Sequence, residues 1–339
     1  MDPAPFFAYA RERQAILLRR RAGLPRDQWS RDPVFANNRF CNVFREDDRT
    51  TVWFRENVRD RLAHQPEVLL ATVLFRWFNR ITTGEAIFSQ TRLDTEPPGA
   101  TAWDEFLGSG DTKILRDAIL KHVGYAGPYV TGAYIVKTPN GMDKLDGVLY
   151  GVREFVSGKR APDDLPSVDW RGLGETLLSD EYRGRVGLKN VWAWLCQFPY
   201  LGPFMAYEVV SDLRYTALLD RAPDIMTWAN AGPGATRGLN RIWGRTPIDR
   251  AIKPAQQSEE MRQLLECARD PCHWPQSIHD EIEVGSYAPD IGLSLFRPEY
   301  WPEWDMRTVE HTLCEVDKYM RVKLGEGRMK QRFKPHESI

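Results

Sequence analysis

Residues 192–215 have the sequence WAWLCQFPYLGPFMAYEVVSDLRY. Apolar residues recur at helical spacing on both sides of a turn that contains Pro199, Gly202 and Pro203. Because proline and glycine interrupt helices, the pattern predicts two helices joined by a short turn. The second helix would begin near Gly202, and the unbonded N–H groups of a helix start attract anions. A plain connection between two packed helices fits the same residues.

The same helical spacing extends to most of the chain. It predicts helices over residues 3–21, 66–81, 111–123 and 144–158, one or two helices over 40–64, and a further helix from residue 172. Strand-like alternation is scarce, and residues 129–137 are expected to be helix or extended loop. We therefore predict a mainly α fold. A polar connection at residues 162–169 predicts an N-terminal region, 1–160, and a second region, 161–339, which together form one catalytic unit.

The composition limits the classes of function. The 339 residues carry 46 Lys and Arg against 47 Asp and Glu, so affinity for a polyanion must come from local patches. No stretch approaches the roughly 18 uncharged apolar residues of a membrane helix, and no signal peptide is recognisable. We therefore expect a cytoplasmic protein without a membrane partner. The five scattered cysteines are expected to be thiols.

Residues 231–245, AGPGATRGLNRIWGR, form a second turn followed by a predicted helix. Gly232 and Gly234 precede the helix, and Arg237 and Arg241 lie four residues apart on one of its faces. Backbone N–H groups and guanidinium groups both bind phosphate oxygens. Since this face has no acidic residue of its own, the segment favours a phosphate or pyrophosphate site over a solvated arginine face.

Two polar segments lie near opposite ends of the chain. The first, NRFCNVFREDDR, covers residues 38–49, and the second, EHTLCEVDKYMRVKLGEGR, covers residues 310–328. Helical spacing places His311, Glu315 and Lys318 near one face of the second segment. Basic residues continue from there to Lys334 and form a local basic patch. Each segment is either a stripe of salt bridges or a functional site.

The hairpin at residues 192–215 resembles the helix-hairpin-helix motif of DNA glycosylases. In that motif the backbone of the turn approaches a DNA phosphate. Tyr200 departs from the pattern, because it stands where those enzymes usually have a first glycine. An aspartate that follows the hairpin is catalytic in that superfamily, and the resemblance assigns this position to Asp224. A helix N-cap is the alternative role for Asp224.

Four segments together resemble a family of enzymes from DNA-modifying bacteriophages: NRFCNVFREDDR, GPFMAYEVVSDLRY, AGPGATRGLNR and EHTLCEVDKYMRVKLGEGR. The family is the alpha-glutamyl/putrescinyl-thymine pyrophosphorylases, also called amino acid:DNA transferases. The first segment is also similar to a motif in the helical domain of phage 5-hydroxymethyluracil DNA kinases. The resemblance implies a helical fold related to that of helix-hairpin-helix DNA glycosylases.

The resemblance to the transferases also implies a reaction in DNA. The amine of a free amino acid or polyamine would displace pyrophosphate from 5-(pyrophosphoryloxymethyl)uracil in double-stranded DNA. A glycosylase that excises a modified base and a non-catalytic DNA-binding protein are the alternatives. If the chain is encoded by a phage, the host cytoplasm is the expected location.

The chemistry of this reaction assigns candidate roles. The amine needs a base, the departing pyrophosphate needs cations and N–H donors, and the carboxylate of an amino acid needs a guanidinium. The candidate catalytic residues are Asp224, Glu315, His311 and Asp48. The candidates for binding pyrophosphate or DNA are Gly202, Gly232, Gly234, Arg237, Arg241, Lys318 and Arg328. The candidates for binding the amino acid or the base are Asn38, Arg39, Asn42, Arg45, Arg49, Asp212 and Glu310. Candidates for stacking on a flipped base are Trp53, Trp228 and Trp243.

No metal site is predicted. The acidic residues show no recognisable metal-ligand spacing, so no cofactor is firmly implied and a role for Mg²⁺ stays open. Cys267, Cys272, His273 and His279 lie close together in the sequence, but their spacing matches no standard zinc motif. We expect these four residues to serve packing.

Overall fold

The computed structural model of the chain describes residues 1–89, 100–160, 168–269 and 303–328. Within these ranges the named elements are all helices, and an antiparallel bridge pairs Arg160 with Val168. The predicted mainly α fold class is therefore confirmed. Across the same ranges, no helix is both long enough and apolar enough to cross a membrane.

The α-helices are numbered here in chain order. They are α1 (Ala4–Arg21), α2 (Pro33–Asn37), α3 (Arg49–Phe54), α4 (Asp60–Leu62), α5 (Glu67–Phe78), α6 (Ile81–Phe88), α7 (Ala102–Ser109), α8 (Thr112–Val123), α9 (Lys144–Ser157), α10 (Trp170–Leu178), α11 (Leu188–Leu195), α12 (Pro203–Leu213), α13 (Pro233–Ile242), α14 (Pro254–Arg269) and α15 (Met306–Lys323). Short 3₁₀ turns lie at Arg26–Gln28 and Arg45–Asp47, and a π-helical turn at Arg55–Arg59 joins α3 to α4.

The chain forms two compact units. The terminal unit contains residues 1–48 and 226–339, and the central unit contains residues 49–225. Neither boundary coincides with the predicted division at residue 160. Helix α5 of the central unit packs against α9, which precedes residue 160, and also against α10 and α12, which follow it, so these helices belong to one unit. The proposed connection at residues 162–169 lies largely outside the described residues.

Helix α5 forms the centre of the central unit. Its sequence EVLLATVLFRWF is apolar on all sides, and residues 68–78 are all buried. The helix ends at Asn79, whose φ of 45° is in the left-handed region that asparagine tolerates better than most residues. The break at Asn79 ends α5 shortly before residue 81, the end of the predicted helix, and α6 begins at Ile81.

Close packing of α13 on α15 organises the terminal unit. A Cβ atom added to Gly238 would lie 2.5 Å from the backbone oxygen of Leu313, and one added to Gly234 would lie 2.9 Å from Sγ of Cys314. Glycine at both positions therefore lets the two helices approach closely. This packing brings the AGPGATRGLNR segment beside the EHTLCEVDKYM segment.

Local sequence signals locate several helix ends correctly. Helix α1 matches the prediction for residues 3–21, and α8 begins directly after Asp111, whose side chain accepts a hydrogen bond from the N–H of Lys113. The helix predicted over residues 40–64 is wrong for its first residues, which form a loop before the turn at Arg45–Asp47. Residues 129–137 form neither helix nor strand, in agreement with the loop alternative.

The hairpin segment folds as two helices joined by a turn. Helices α11 and α12 are linked by residues 196–202, and the indole N–H of Trp192 donates a hydrogen bond to the carbonyl of Pro203 across the turn. Tyr200 has a φ of 64°, a left-handed conformation that glycine adopts more readily. The turn thus has, at Tyr200, a backbone conformation that glycine would adopt without a steric penalty. The relationship to glycosylases itself stays a prediction.

Candidate functional site

A loop rich in polar side chains follows α2 in the terminal unit. The guanidinium of Arg13, on α1, is buried and holds this loop by donating from Nε to the carbonyl of Cys41 at 2.9 Å. Its terminal nitrogen also donates to Oδ1 of Asn42 at 2.5 Å. The loop has no regular secondary structure. These bonds fix its conformation, because one arginine donates to several oxygen acceptors of the loop.

Asp48 closes the loop through Asn42. The backbone N–H and the side-chain Nδ2 of Asn42 both donate to Oδ1 of Asp48, each at 3.0 Å. Desolvation raises the pKa of Asp48 to about 6, although the bond from Asn42 and the charges of Arg13 and Arg45 oppose the shift. A carboxylate with a pKa near neutral pH is suited to proton transfer, which supports Asp48 as a candidate general base.

Helix α15 presents His311 and Glu315 one turn apart. Oε2 of Glu315 accepts a hydrogen bond from the backbone N–H of Cys41 at 3.2 Å, across a sequence separation of 274 residues. Oε1 of Glu315 forms an ion pair with Lys318. Desolvation alone would raise the pKa of Glu315, but the charges of Lys318 and His311 outweigh it and lower the pKa, so the carboxylate is ionised.

The side chains of the two polar segments therefore meet in what we call the terminal-unit cluster. Sγ of Cys41, an imidazole nitrogen of His311 and a carboxylate oxygen of Glu315 all lie within 4.8 Å of one another. The cluster consists of Arg13, Cys41, Asn42, Asp48, His311, Glu315 and Lys318. Of the four candidate catalytic residues, Asp48, His311 and Glu315 belong to this cluster, whereas Asp224 belongs to the central unit.

The arginines of α13 have acidic partners that the sequence analysis did not identify. Nε of Arg237 donates to Oδ2 of Asp317 at 2.8 Å, and Nε of Arg241 donates to Oδ1 of the same carboxylate at 3.0 Å. Arg241 also bonds Glu326. The expectation that this arginine face lacks acidic partners is therefore wrong, because Asp317 of α15 and Glu326 after that helix supply them from 76 to 85 residues further along the chain.

The two arginines differ in their access to a ligand. The side chain of Arg237 is 30% exposed and is seen to use Nε, one of five N–H donors in a guanidinium. The side chain of Arg241 is only 7% exposed and is held by two carboxylates. Arg237 is therefore the better placed of the two to bind an anion. Lys318 is engaged by Glu315, whose charge raises the pKa of Lys318 even though desolvation acts in the opposite direction.

The candidate glycines fall into two groups. The close contact of α13 with Cys314 is a sufficient reason for a glycine at position 234. Helix packing is therefore an alternative to the predicted role of Gly234 in binding phosphate. Gly232 and Gly202 precede the first residues of α13 and α12, and a Cβ atom at either would meet no atom within 4 Å. Their predicted anion contacts stay predictions. Arg328 is exposed, and the basic patch beyond it, to Lys334, lies outside the described residues.

Asp224 has a clear structural function in the central unit. Its two carboxylate oxygens accept hydrogen bonds from the backbone N–H groups of Leu188 at 2.6 Å and Lys189 at 3.0 Å. Asp224 thus caps the first turn of α11, where a negative charge is also favoured by the helix dipole. The predicted alternative, a cap for residues 225–228, is wrong because those residues form a turn and not a helix.

Asp212 lies in the core of the central unit. Its side chain is fully buried and forms a two-pronged ion pair with Arg76, in which Nη2 of Arg76 donates the second bond to Oδ1 of Asp212 at 2.8 Å. Arg76 also donates to Asn79 at 2.8 Å and to Thr51 at 3.1 Å. Complete burial removes Asp212 from contact with a ligand, so the structure does not support its predicted binding role.

The other candidate residues have varied surroundings. Asn38 is buried and donates to the carbonyl of Val34, which anchors the start of the loop. Glu310 is buried and bonds Arg307. Arg45 is also buried, and its positive charge lowers the pKa of Asp48. Arg39 is exposed. Arg49 is exposed as well and lies at the start of α3 in the central unit.

The candidate stacking tryptophans are placed differently. Trp53 stacks on Phe75 with ring centroids 5.5 Å apart and lies against Gly84, so it serves packing in the central unit. The ring of Trp243 lies 5.6 Å from the guanidinium of Arg245. Trp228 is partly exposed in the terminal unit. Trp228 and Trp243 stay candidates for stacking on a base.

The chain was compared with known proteins. It matches the family described as 5-hmdU DNA kinase, helical domain, over residues 4–329. The chain belongs to this family. A 5-hmdU DNA kinase of Bacillus phage SP10 is 24% identical over 328 residues, which are 93% of this chain and 44% of that kinase. The chain thus spans less than half the length of this relative, and no solved structure matches it.

Membership of the kinase helical-domain family agrees with the similarity predicted from residues 38–49. Two residues of the terminal-unit cluster, Arg13 and Cys41, were not among the predicted site residues. Arg13 lies in the helix predicted over residues 3–21, and nothing in the local sequence indicates that it binds the loop at residues 40–42. The spacing of His311 and Glu315, four residues apart on one helix, is a signal that could have suggested a pair of metal ligands.

Proposed function

We propose that this chain takes part in the modification of 5-hydroxymethyluracil in DNA, and that it transfers an amine to the modified base. Three of the four segments that resemble the amino acid:DNA transferases lie in the terminal unit, and side chains of the first and last meet in the terminal-unit cluster. This convergence of distant polar segments carries the proposal. Membership of the 5-hmdU DNA kinase helical-domain family supports the class of DNA substrate.

The proposed reaction forms a C–N bond and breaks a C–O bond. The neutral amine of an amino acid or polyamine attacks the 5-methylene carbon of 5-(pyrophosphoryloxymethyl)uracil, pyrophosphate leaves with the bonding electrons, and the attacking nitrogen then gives up a proton. The candidates for accepting this proton in the terminal unit are Asp48, Glu315 and His311. Arg237 is proposed to stabilise the charge on the leaving pyrophosphate, because part of its guanidinium side chain is exposed beside the buried Asp317.

The substrates follow from this chemistry. The proposed partners are double-stranded DNA that contains the pyrophosphorylated base and a free amino acid or polyamine. We propose that the nucleotide flips out of the duplex before it reacts, since enzymes that do chemistry on a base commonly take that base out of the stack. An amino acid would bring a carboxylate, for which Arg45 or Arg49 offers a planar guanidinium.

Phosphorylation of 5-hydroxymethyluracil in DNA is the second candidate, because the SP10 relative is named a 5-hmdU DNA kinase. Kinases and other nucleotide-binding proteins often hold phosphates with a G-x-x-x-x-G-K-[ST] loop, and these 339 residues do not contain that sequence. The match is, moreover, to the helical domain of those kinases. We therefore keep phosphorylation as the second candidate.

Mass spectrometry of nucleosides distinguishes these activities. The full chain is incubated with DNA that contains 5-hydroxymethyluracil plus ATP, and separately with pyrophosphorylated DNA plus a mixture of amino acids and polyamines. We expect a new N-substituted thymidine in the second reaction only, with release of pyrophosphate. A phosphorylated nucleoside in the first reaction would instead support the kinase. Loss of the base would identify a glycosylase, and unchanged DNA in both reactions would contradict catalysis.

A further inference from the structure

We propose that Cys41, His311 and Glu315 form a binding site for a transition metal ion, with Zn²⁺ as the preferred ion. A sulfur, an imidazole nitrogen and a carboxylate oxygen lie within 4.8 Å of one another at this position. The three residues come from opposite ends of the chain, and the sequence analysis predicted no metal site for them. The proposal concerns binding of the ion alone and does not depend on the reaction proposed above.

The backbone around the three residues is already held in place. His311 and Glu315 are four residues apart on α15, so their side chains project from the same face of one helix. The carbonyl of Cys41 accepts from Arg13 at 2.9 Å, and its N–H donates to Glu315 at 3.2 Å. The loop and the helix are therefore joined through protein groups, which lowers the entropic cost of assembling the ligands.

The chemistry of the three ligands selects the kind of ion. Mg²⁺ and Ca²⁺ prefer oxygen ligands only, whereas a thiolate together with an imidazole suits Zn²⁺ and related transition metals. In a tetrahedral zinc site, bond lengths of about 2.0–2.3 Å place ligand atoms roughly 3.5 Å apart. Side-chain movements of about 1 Å would bring the present separations to that value.

The number of protein ligands in the proposed site is that of an open metal centre. Three protein ligands leave the fourth position of a tetrahedral ion for water or a substrate atom, as in catalytic zinc sites. Cys41 is exposed, which gives the ion a route from solvent. One thiolate and one carboxylate together balance the two charges of Zn²⁺.

Lys318 competes with the metal for the carboxylate. Its ammonium group forms an ion pair with Oε1 of Glu315, while Oε2 accepts from the backbone of Cys41. A carboxylate has further lone pairs for an ion, but a nearby ammonium repels a cation. We therefore expect Lys318→Gln to bind Zn²⁺ at least as tightly as the unmodified protein.

Cobalt spectroscopy and zinc titration test this site directly. The full chain is stripped with a chelator and titrated with Co²⁺, which reports a bound thiolate through a sulfur-to-cobalt charge-transfer band. We expect one ion per chain, with a band that Cys41→Ser abolishes. His311→Ala and Glu315→Gln are expected to weaken Zn²⁺ binding more than about 100-fold, since loss of groups that merely orient ligands already costs about 10–100-fold.

Matched controls separate the site from other metal-binding groups. Cys196→Ser and His122→Ala change a thiol and an imidazole of the central unit, and both should keep the cobalt band and full Zn²⁺ affinity. Cys41 is exposed, so Cys41→Ser should keep the circular dichroism spectrum of the folded protein. Absence of stoichiometric binding would overturn the proposal. So would a charge-transfer band that persists in Cys41→Ser and disappears in Cys272→Ser.

Discussion

The contact between α13 and α15 predicts the effect of replacing Gly238 by alanine. The added Cβ atom would lie 2.5 Å from the backbone oxygen of Leu313 and 2.9 Å from its backbone carbon, whereas ordinary contacts begin at 3.4 Å. These are backbone atoms of a helix, so they cannot rotate away, and the helices must separate by several tenths of an ångström. Overpacking of this kind costs about 1–3 kcal/mol.

An opposing effect has to be subtracted. Alanine stabilises a helix interior by roughly 0.5–1 kcal/mol relative to glycine. The net expectation for Gly238→Ala is therefore a loss of about 0–2.5 kcal/mol in the free energy of unfolding, centred near 1 kcal/mol. Because Arg237 flanks Gly238 on α13, separation of the helices should also weaken its bond to Asp317.

Urea denaturation followed by circular dichroism measures this loss. Gly108→Ala is the matched control, because Gly108 lies in α7 and a Cβ atom there would meet no atom within 4 Å. We expect the control to be as stable as the unmodified protein or more so. If Gly238→Ala is stabilised as much as Gly108→Ala, the close approach of α13 and α15 is wrong.

Three further predictions concern carboxylates that hold other groups in place. Asp212→Asn leaves Arg76 as an uncompensated buried charge and should lower the free energy of unfolding in urea by about 3–5 kcal/mol, whereas the double replacement Arg76→Met, Asp212→Leu should lose much less. Asp224→Ala removes the cap of α11 and should cost about 1 kcal/mol in the same assay; an unchanged value would contradict the capping role. The raised pKa of Asp48 means that the folded protein favours the protonated form of this carboxyl. Its contribution to the free energy of unfolding is therefore complete below about pH 4, the pKa of an unfolded aspartate, and is lost as the pH rises through the folded-state pKa of about 6. In chelator-treated protein, Asp48→Asn should therefore gain stability relative to the unmodified chain between pH 4 and 7, and a constant difference would contradict the shift.

Local signals in the sequence predict much of the fold. The apolar run at residues 68–78 gives α5, Asp111 begins α8, and the Pro/Gly turn before residue 203 gives the two-helix hairpin. These features depend on residues within a few positions of each other, so periodicity and capping preferences are sufficient to find them.

The partners of the polar side chains could not be predicted in this way. Asp317 lies 76 residues from Arg241, and Asp212 lies 136 residues from Arg76. Helix packing, and not local spacing, decides which charged side chains meet. The face of Arg237 and Arg241 has no acidic residue close to it in the sequence, and local spacing therefore predicts that this face is available for phosphate. The meeting of Cys41 with Glu315 likewise depends on the tertiary fold.

Proton transfer is proposed to occur in the terminal-unit cluster, and replacement of Asp48 tests this proposal most directly. Asp48→Asn keeps the size of the side chain but removes the base, and Asp47→Asn is the matched control, because Asp47 instead pairs with Arg21. The decisive measurement is the rate of N-substituted thymidine formation on pyrophosphorylated DNA with a saturating amine. We expect Asp48→Asn to lose about 10²–10⁴-fold in rate while DNA binding and the rate of Asp47→Asn stay close to normal. Equal rates for Asp48→Asn and Asp47→Asn would contradict the account.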